Sequence, residues 1–501
     1  MCSWTRRAHM SEMEEPRAQN NLRKKRVRPT FQFVQIKDEC ILVDRISEFP
    51  DEILINILSL LTLKEAACTS ILSRRWQYLW ASTMTLNFDD VNFEVGSTSR
   101  RFGELKRESR DQQRFRYIDW VNRVLEQHSG QNIERFRAHF FLDYRFKSSI
   151  DKWIQFAMER RVQILELEFL TEKSFSDEDY TFPQKLLGII STEKGSALEQ
   201  FLYSAWDNLL QSDIPSLYSC GYSIGFKSLK VLRLQHVRGT EEFIEYLLSN
   251  SPVLERLSLN AARGLVNLRV VGQSIALKHL VIKHCPDLNS IEICDTNIVS
   301  FIYCAYDMTN LLLRNVPSLV EVSISKERCR IDSIRRPFTQ LSCCLSQLEF
   351  LELDITGADY NHNGVFPRLE NLKHLELVVA SDYDQALHHL TYFLKVSPYL
   401  QRLVLKLDMR LAAQARIMSR HETGEIEKAA KYHYLKVVEM AGYRPCACVV
   451  ELVMHLIENV DALEKIMIDP VRTWCWPNGI DRPIEEVEEE VQARTHAMEH
   501  L

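Results

Sequence analysis

The chain has 501 residues, of which 46% are hydrophobic and 26% are charged, and its formal net charge is −6. This length exceeds what one ordinary hydrophobic core accommodates, so it predicts two or more domains or one long repeat array. The composition is that of a soluble globular protein, and the net charge argues against a protein that coats nucleic acid.

The 13 cysteines are scattered along the chain without the dense spacing of a disulfide scaffold. They are therefore interpreted as mostly buried free thiols in a reducing compartment. No apolar run suits a signal peptide or reaches the roughly 18 residues that a membrane helix needs. We expect a soluble protein of the nucleus, the cytoplasm or both, with no membrane partner.

Residues 1–42 are polar and of mixed charge, and they include the basic stretch "LRKKRVR" from Leu22. This composition indicates a solvated, disordered tail. A cluster of this kind can also serve as a nuclear-import signal, and the sequence leaves both interpretations open.

Residues 43–82 predict three short helices. Pro50 suits a first helical position, and Asp51 and Glu52 suit the first turn, where the helix dipole favours negative charge. An apolar stripe follows at helical spacing, then a second helix over 64–72 and a third that Ser73 could cap. The apolar positions exceed what so small a bundle can bury. This segment therefore packs on the rest of the chain or offers an apolar patch to a partner.

Residues 83–130 predict a charged linker that leads into an amphipathic helix around 115–125. Beyond it an L-x-x-L-x-L pattern recurs, mostly 21 to 29 residues apart, which is typical of leucine-rich repeats. Clear copies begin at Leu229, Leu254, Leu277, Leu319, Leu348, Leu372 and Leu400. Weaker copies begin at Ile133, Leu198, Ile298, Leu435 and Leu463.

The repeats predict an α/β fold in which each unit adds one short strand to a parallel sheet. Helix-like stretches such as "TEEFIEYLLSNSP" separate the strands. No unit can bury its apolar side alone, so the stack is the fold. We predict an irregular solenoid over 131–430, terminal repeats over 431–480, and an acidic tail over 481–501 that is helical or disordered.

The motifs together resemble a plant family, the F-box/LRR proteins. The F-box match comprises "DRIS", Phe49-Pro50, "DEIL", "KEA", "LSRRW" and "LW" within residues 44–80. Residues 434–474 are similar to the FBD domain that closes such proteins. The resemblance implies an F-box at 43–82 that docks on the Skp adaptor of an SCF cullin–RING ubiquitin ligase.

Carried over by position, the resemblance implies ten adaptor-binding residues. They are Phe49, Pro50, Ile53, Leu54, Ile57, Leu58, Ser70, Leu72, Trp76 and Leu79. The family usually has Leu before the proline, where this chain has Phe49. A bulkier ring in a tight pocket costs roughly 1–3 kcal/mol, so we expect adaptor binding weaker than is typical.

The resemblance also implies that the repeats hold a protein substrate. The intervening positions of each strand face out on the concave side. The substrate-binding candidates are Arg233, Gln235, Arg256, Asn260, His279, Lys283, Phe350, Glu352, Asp354, His374 and Glu376. Early repeats are basic and later ones acidic, with Lys and Arg returning at the end, so we hypothesise a charge gradient that orients the ligand. The alternative is a row of ordinary solvated strand residues.

Motifs of enzymes are missing from the sequence. There is no P-loop, G-x-G-x-x-G, G-x-S-x-G or H-E-x-x-H, and "HLE" at 374–376 with "PCAC" at 445–448 lacks zinc deaminase spacing. We expect no catalysis, no cofactor and no metal. The leading interpretation is a non-catalytic substrate receptor. The alternatives are a repeat scaffold without a degradation role and, disfavoured by its charge, a nucleic-acid binder.

Overall fold

The computed structural model describes residues 46, 48–89, 107–170, 179–183, 226–273, 275–305, 309–326, 340–354, 368–380, 390, 393–408, 432–445, 447–472 and 483–500. Contacts divide the chain into two units, Met1–Phe49 and Pro50–Leu501. In the first unit, the Phe49 amide donates to the Ile46 carbonyl at 3.2 Å. The predicted tail 1–42 and the repeat predicted from Leu198 lie outside the described residues.

The described residues form eight α-helices, and all of them lie in the second unit. They are α1 (Asp51–Leu58), α2 (Leu63–Cys68), α3 (Trp76–Leu79), α4 (Arg107–Gln127), α5 (Lys147–Glu159), α6 (Glu241–Asn250), α7 (Ala447–Asn459) and α8 (Ile484–His500). Pro50 precedes α1 and is not its first residue as predicted, whereas Asp51 and Glu52 lie in the first turn as predicted. The predicted second helix is shorter than expected, because a 3-10 turn at Thr69–Ile71 follows α2.

Helix α2 begins at a capping box. The Thr62 hydroxyl accepts from the Glu65 amide at 3.2 Å, and the Glu65 carboxylate accepts from the Thr62 amide at 3.0 Å. This reciprocal pair satisfies two amides that have no partner within the helix. The amide of Trp76, the first residue of α3, lies 3.5 Å from the Ser73 hydroxyl, as predicted for a cap.

The strands alternate with helices and loops along the chain. They are β1 (Thr85–Asp89), β2 (Arg135–Phe140), β3 (Ile164–Phe169), β4 (Tyr180–Thr181), β5 (Val231–Gln235), β6 (Val237–Arg238), β7 (Arg256–Asn260), β8 (Asn267–Val271), β9 (His279–Lys283), β10 (Ser290–Cys294), β11 (Ser300–Ala305), β12 (Asn310–Arg314), β13 (Glu321–Lys326), β14 (Phe350–Asp354), β15 (His374–Ala380), β16 (Arg402–Asp408), β17 (Val437–Ala441) and β18 (Lys465–Asp469).

A parallel main sheet of 13 strands organises the second unit. Its order is β1-β2-β3-β5-β7-β9-β11-β13-β14-β15-β16-β17-β18, so neighbours in space follow the chain. The α/β repeat fold predicted from the sequence is confirmed. The leucine-type positions of the main sheet are mostly buried, as Leu232 and Leu234 of β5 show, whereas Ile466 and Ile468 of β18 are half-buried.

Strands β1 and β3 were not predicted from the repeat pattern. The first position of the motif is Thr83 before β1 and Val162 before β3, so neither stretch reads L-x-x-L-x-L. Leu86 and Phe88 of β1 and Leu165 of β3 are nevertheless fully buried. Thr83 and Val162 are buried as well, so a side chain smaller than leucine at the first position also continues the sheet.

A second parallel sheet, with the order β12-β10-β8, corrects the expectation of one strand and one helix-like stretch per repeat. It occupies the repeats that begin at Leu254, Leu277 and Ile298, where spacing falls to 21–23 residues. A strand advances about 3.3 Å per residue and a helix only 1.5 Å, so a strand crosses the same distance with fewer residues. The shortest repeats therefore use strands where others use helices.

One continuous hydrophobic core runs from Leu63 in the helical region to Ala493 in α8. The helical region 50–82 adds a small core of its own, made by Leu54, Leu58, Ala66, Trp76 and Leu79. The two cores meet at Trp80, which packs against both. The Met84 amide also donates to the Ser59 hydroxyl at 3.1 Å. The helical region is thus joined to the first repeat.

Helix α8 docks on the last repeats through a buried carboxylate. Glu486 accepts from Arg444 Nη2 at 2.8 Å and from Arg472 Nε at 2.8 Å. Arg472 is fully buried, and Arg444 also donates to the Pro470 carbonyl at 2.7 Å. Of the two alternatives predicted for 481–501, the structure has the helix.

Replacing Glu486 with Ala removes the carboxylate that two buried guanidinium groups share. Both buried guanidinium groups then lose the carboxylate that they share, although Arg444 keeps its ion pair with Glu489, and we expect the docking of α8 to weaken by about 3–5 kcal/mol. Hydrogen exchange of residues 484–500 measures this opening. Glu488→Ala, an exposed position of the same helix, is the control and should exchange like wild type. Equal protection of α8 in both variants would contradict the assignment.

Candidate protein-binding surfaces

The ten predicted adaptor-binding residues separate into an internal and an external set. Leu54, Leu58, Trp76 and Leu79 form the small core of the helical region and are 0–7% exposed. The sequence placed these four residues on the contact surface. The structure corrects this, because each of them is covered by its own bundle. They support the surface from beneath, and Ser70 is half-buried.

The external set is apolar and exposed. Pro50, Ile53, Ile57 and Leu72 lie at the surface of the second unit, and Phe49 is exposed in the first. Sequence reasoning missed further exposed apolar side chains of the same region. We define the apolar helical surface as Ile53, Ile57, Leu60, Leu61, Ile71, Leu72 and Tyr78.

Two of the missed residues are the most exposed of this surface. Leu60, two residues beyond α1, is 87% exposed, and Ile71, the last residue of the 3-10 turn after α2, is 88% exposed. A free surface of large apolar residues is costly to hydrate and typically marks a protein contact. An exposed ion pair, Arg75 to Asp51 at 2.6 Å, lies in the same helical region, joining the start of α1 to the residue before α3.

All eleven predicted substrate-binding residues lie on the outward face of the main sheet, opposite the buried leucine positions. Register places them in three rows across the strands. The rows hold Arg256, His279, Phe350 and His374; Arg233, Glu352 and Glu376; and Gln235, Asn260, Lys283 and Asp354. The eleven do not form one site, because ion pairs divide the face into three parts.

The first part is an ion-pair network on β1, β2, β3 and β5. Arg137 Nη2 lies 2.8 Å from Glu168 Oε2, and its Nη1 lies 3.2 Å from Asp89 Oδ2. Buried Glu166 lies 2.9 Å from Arg233 Nη1. Partial burial disfavours the charge of Arg137, yet the neighbouring carboxylates outweigh it and raise its pKa. Arg233, predicted as part of a basic region, is thus matched by an acid on the next strand.

The second part is an ion-pair network on β13 to β16. Lys406 Nζ lies 2.6 Å from Glu352 Oε1 and 2.8 Å from Glu376 Oε2. The Ser323 hydroxyl donates to Glu352 at 2.6 Å. Hydrogen bonding by His374 and then by Lys406 lowers the pKa of Glu376 to about 2. The acidic residues predicted here are therefore largely compensated.

The third part, which we call the central strip, comprises the outward residues of β7, β9 and β11. They are Arg256, Ser258, Asn260, His279, Val281, Lys283, Ser300, Ile302 and Cys304. Partial burial, reinforced by nearby Arg256, lowers the pKa of His279, so this imidazole is neutral at pH 7. Of the charges in the predicted gradient, the positive charges of Arg256 and Lys283 lie in this strip, outside the two ion-pair networks.

Metal and thiol chemistry find no support in the described part of the chain. No group of three His, Cys, Asp or Glu side chains is arranged there to hold a metal ion. Burial raises the pKa of the Cys285 and Cys344 thiols to about 12, which keeps them protonated. The side chains of Cys446 and Cys448 lie outside the described residues. No helix within the described ranges is long and apolar enough to span a bilayer.

Comparison with known proteins gives two family matches. A model of the F-box domain matches residues 46–86, and a model described as the At1g61320/AtMIF1 LRR domain matches residues 124–498. Two similar proteins of Arabidopsis thaliana are the putative F-box/FBD/LRR-repeat protein At5g62970 and the FBD-associated F-box protein At4g10400. The first is 27% identical and aligns over 72% of this chain and 78% of its own length. The second is 28% identical, over 72% and 77%.

Replacing Lys406 with Met tests the second network. Two carboxylates then face each other without their cation, and we expect a loss of about 1–3 kcal/mol in the free energy of unfolding at pH 7. The loss should shrink toward pH 4.5, because protonation relieves the repulsion. In wild type, the stabilisation from Glu376 is present above pH 4.5 and lost only as pH falls through about 2.

Denaturant unfolding at several pH values makes this measurement. Lys373→Met, which removes an exposed pair with Glu349, is the matched control. It should change stability by no more than about 0.5 kcal/mol at any of these pH values. A Lys406→Met loss that is independent of pH would contradict the network.

Proposed function

Because this chain belongs to the plant F-box/LRR proteins with an LRR domain of the At1g61320/AtMIF1 type, we propose that it recognises substrates for an SCF-type cullin–RING ubiquitin ligase. F-box and repeat domains together support an SCF substrate-adaptor role in general. Proteins of this family are typically non-catalytic adaptors. The finer assignment has two parts, a contact with the Skp adaptor and capture of a target protein.

The apolar helical surface is the observation that supports the adaptor contact. A bundle that buries Leu54, Leu58, Trp76 and Leu79 already has its core, so the area that the apolar helical surface leaves exposed contributes nothing to its folding. They gain free energy only when a partner covers them, at about 25 cal/mol per Å² of buried apolar area. Interface energy concentrates in a few such anchors.

Adaptor binding by the full chain tests this contact. Ile57→Ala with Leu72→Ala should weaken binding of a purified Skp adaptor by at least about tenfold, because each truncation removes an exposed anchor. Phe115→Ala, which truncates an exposed aromatic residue of α4, is the control and should bind like wild type. Undiminished binding by the double variant would contradict the proposed surface. No binding by wild type would favour a repeat scaffold without a degradation role.

The central strip is the part of the repeat face that we propose contacts the target. Arg256 is exposed there, and Lys283, Val281 and Ile302 are half-buried. Both flanking networks compensate their own charges, so they offer an approaching chain less net charge than the strip does. A target segment that places acidic residues beside an apolar side chain fits this strip by charge complementarity.

Charge reversal tests the target contact. Wild type is used to capture proteins from plant extract. Arg256→Glu with Lys283→Glu should reduce the recovery of those proteins by at least about tenfold, because the new charges repel an acidic segment. Skp binding should not change. Arg269→Glu with Arg314→Glu reverses two exposed charges of the second sheet and is the matched control. Unchanged recovery with the first variant would contradict the central strip as the target site.

A further inference from the structure

The last strand of the main sheet has an open side. Strand β18 pairs only with β17, and no strand among the described residues lies beyond it. Its inward residues Ile466 and Ile468 are half-buried, whereas the equivalent Val438 and Met440 of β17 are 0–1% exposed. In the described part of the chain, the stack therefore ends with part of its apolar layer uncovered.

Hydrogen bonding shows which groups face the open side. The Lys465 amide donates to the Lys436 carbonyl at 3.1 Å, so Lys465 is directed toward β17. In a parallel pair alternate residues of a strand bond to one neighbour, which assigns Met467 and Asp469 to β17 as well. The amides and carbonyls of Ile466 and Ile468 consequently point away from the sheet.

The sequence of β18, "KIMID", is self-complementary in the antiparallel direction. If two copies pair about a two-fold axis through Met467, Ile466 lies opposite Ile468 of the other copy. The backbone groups of these two residues have no hydrogen-bond partner among the described residues, so four hydrogen bonds can form between the copies. Lys465 then lies opposite Asp469 of the other copy, twice, in the position where antiparallel side chains approach closest.

The surroundings of β18 are also apolar. A groove of about 320 Å³ beside the strand is lined mainly by apolar residues, among them Ile457 of α7, Ile466, Ile468, and Ala497 and Met498 of α8, and by one charged residue, Arg494. Further exposed apolar residues of α8 follow at helical spacing, at Ile484, Val487 and Val491. An open strand edge with apolar surroundings is a hazard unless something covers it.

We propose that the open edge of β18 binds β18 of a second copy of this chain, forming a two-fold symmetric dimer with a continuous sheet. A two-fold interface must match itself, and the Lys–Asp pairing together with the free backbone groups meets that condition. Neither Lys465 nor Asp469 has an ion-pair partner among the described residues. Their charges are therefore available to select this register over others.

Charge variants of the full chain test the dimer by sedimentation equilibrium. Wild type should sediment as a dimer at micromolar concentration. Lys465→Asp places Asp opposite Asp, and Asp469→Lys places Lys opposite Lys, so each variant alone should weaken the dimer by at least about tenfold. Lys278→Asp, an exposed lysine far from the edge, is the matched control and should remain dimeric.

Mixing the two variants separates a specific contact from general damage. One chain then has Asp at 465 and 469 and the other has Lys at both, so every facing pair is attractive. The mixture should form a heterodimer with affinity near that of wild type, which misfolded variants could not do. A monomeric wild type at about 100 µM, or variants that dimerise as well as wild type, or a mixture that stays monomeric, would overturn the proposal.

Discussion

The fold depends on one constraint, which is that no repeat can bury its own apolar side. Leu232, Leu257, Leu280, Phe301 and Val322 occupy equivalent positions of neighbouring strands, and all are fully buried because the next repeat covers each. The two ends of such a stack have no next repeat. At the beginning, the helical region 50–82 takes that place through Leu63 and Trp80. At the other end α8 covers only part of β18.

The same stacking brings charges of distant repeats together on the outward face. Strand spacing is about 4.8 Å, so a charge on one strand is within reach of its neighbours. Lys406 contacts Glu352 two strands away, and Glu166 contacts Arg233 across a connection of about 60 residues. Compensation of this kind lowers the cost of lining a partly buried surface with charge. It also sets apart the central strip, where we propose that a target protein binds.

Much of this architecture could be predicted from the sequence, because leucine positions and their spacing determine each repeat strand. The first position of the repeat motif did not reveal β1 and β3, because Thr83 and Val162, which are smaller than leucine, stand there before the strand. The second sheet was signalled by alternation in "NLRVV", which the one-strand interpretation overlooked. In α1, buried Leu54 and exposed Ile53 are adjacent in sequence and both are apolar. Periodicity alone therefore cannot tell which of the two faces of the helix is buried. Ion pairs depend on which strands become neighbours, so they appeared only in the structure.

We propose that exposed apolar residues of the helical region, and not its core residues, contact an adaptor. Hydrogen exchange of the full chain, with and without a purified Skp adaptor, tests it directly. We predict slower exchange at residues 53–61 and 71–78 in the complex, with β5 to β16 unchanged. Binding without protection of those two segments, or protection centred on the repeats, would contradict the claim.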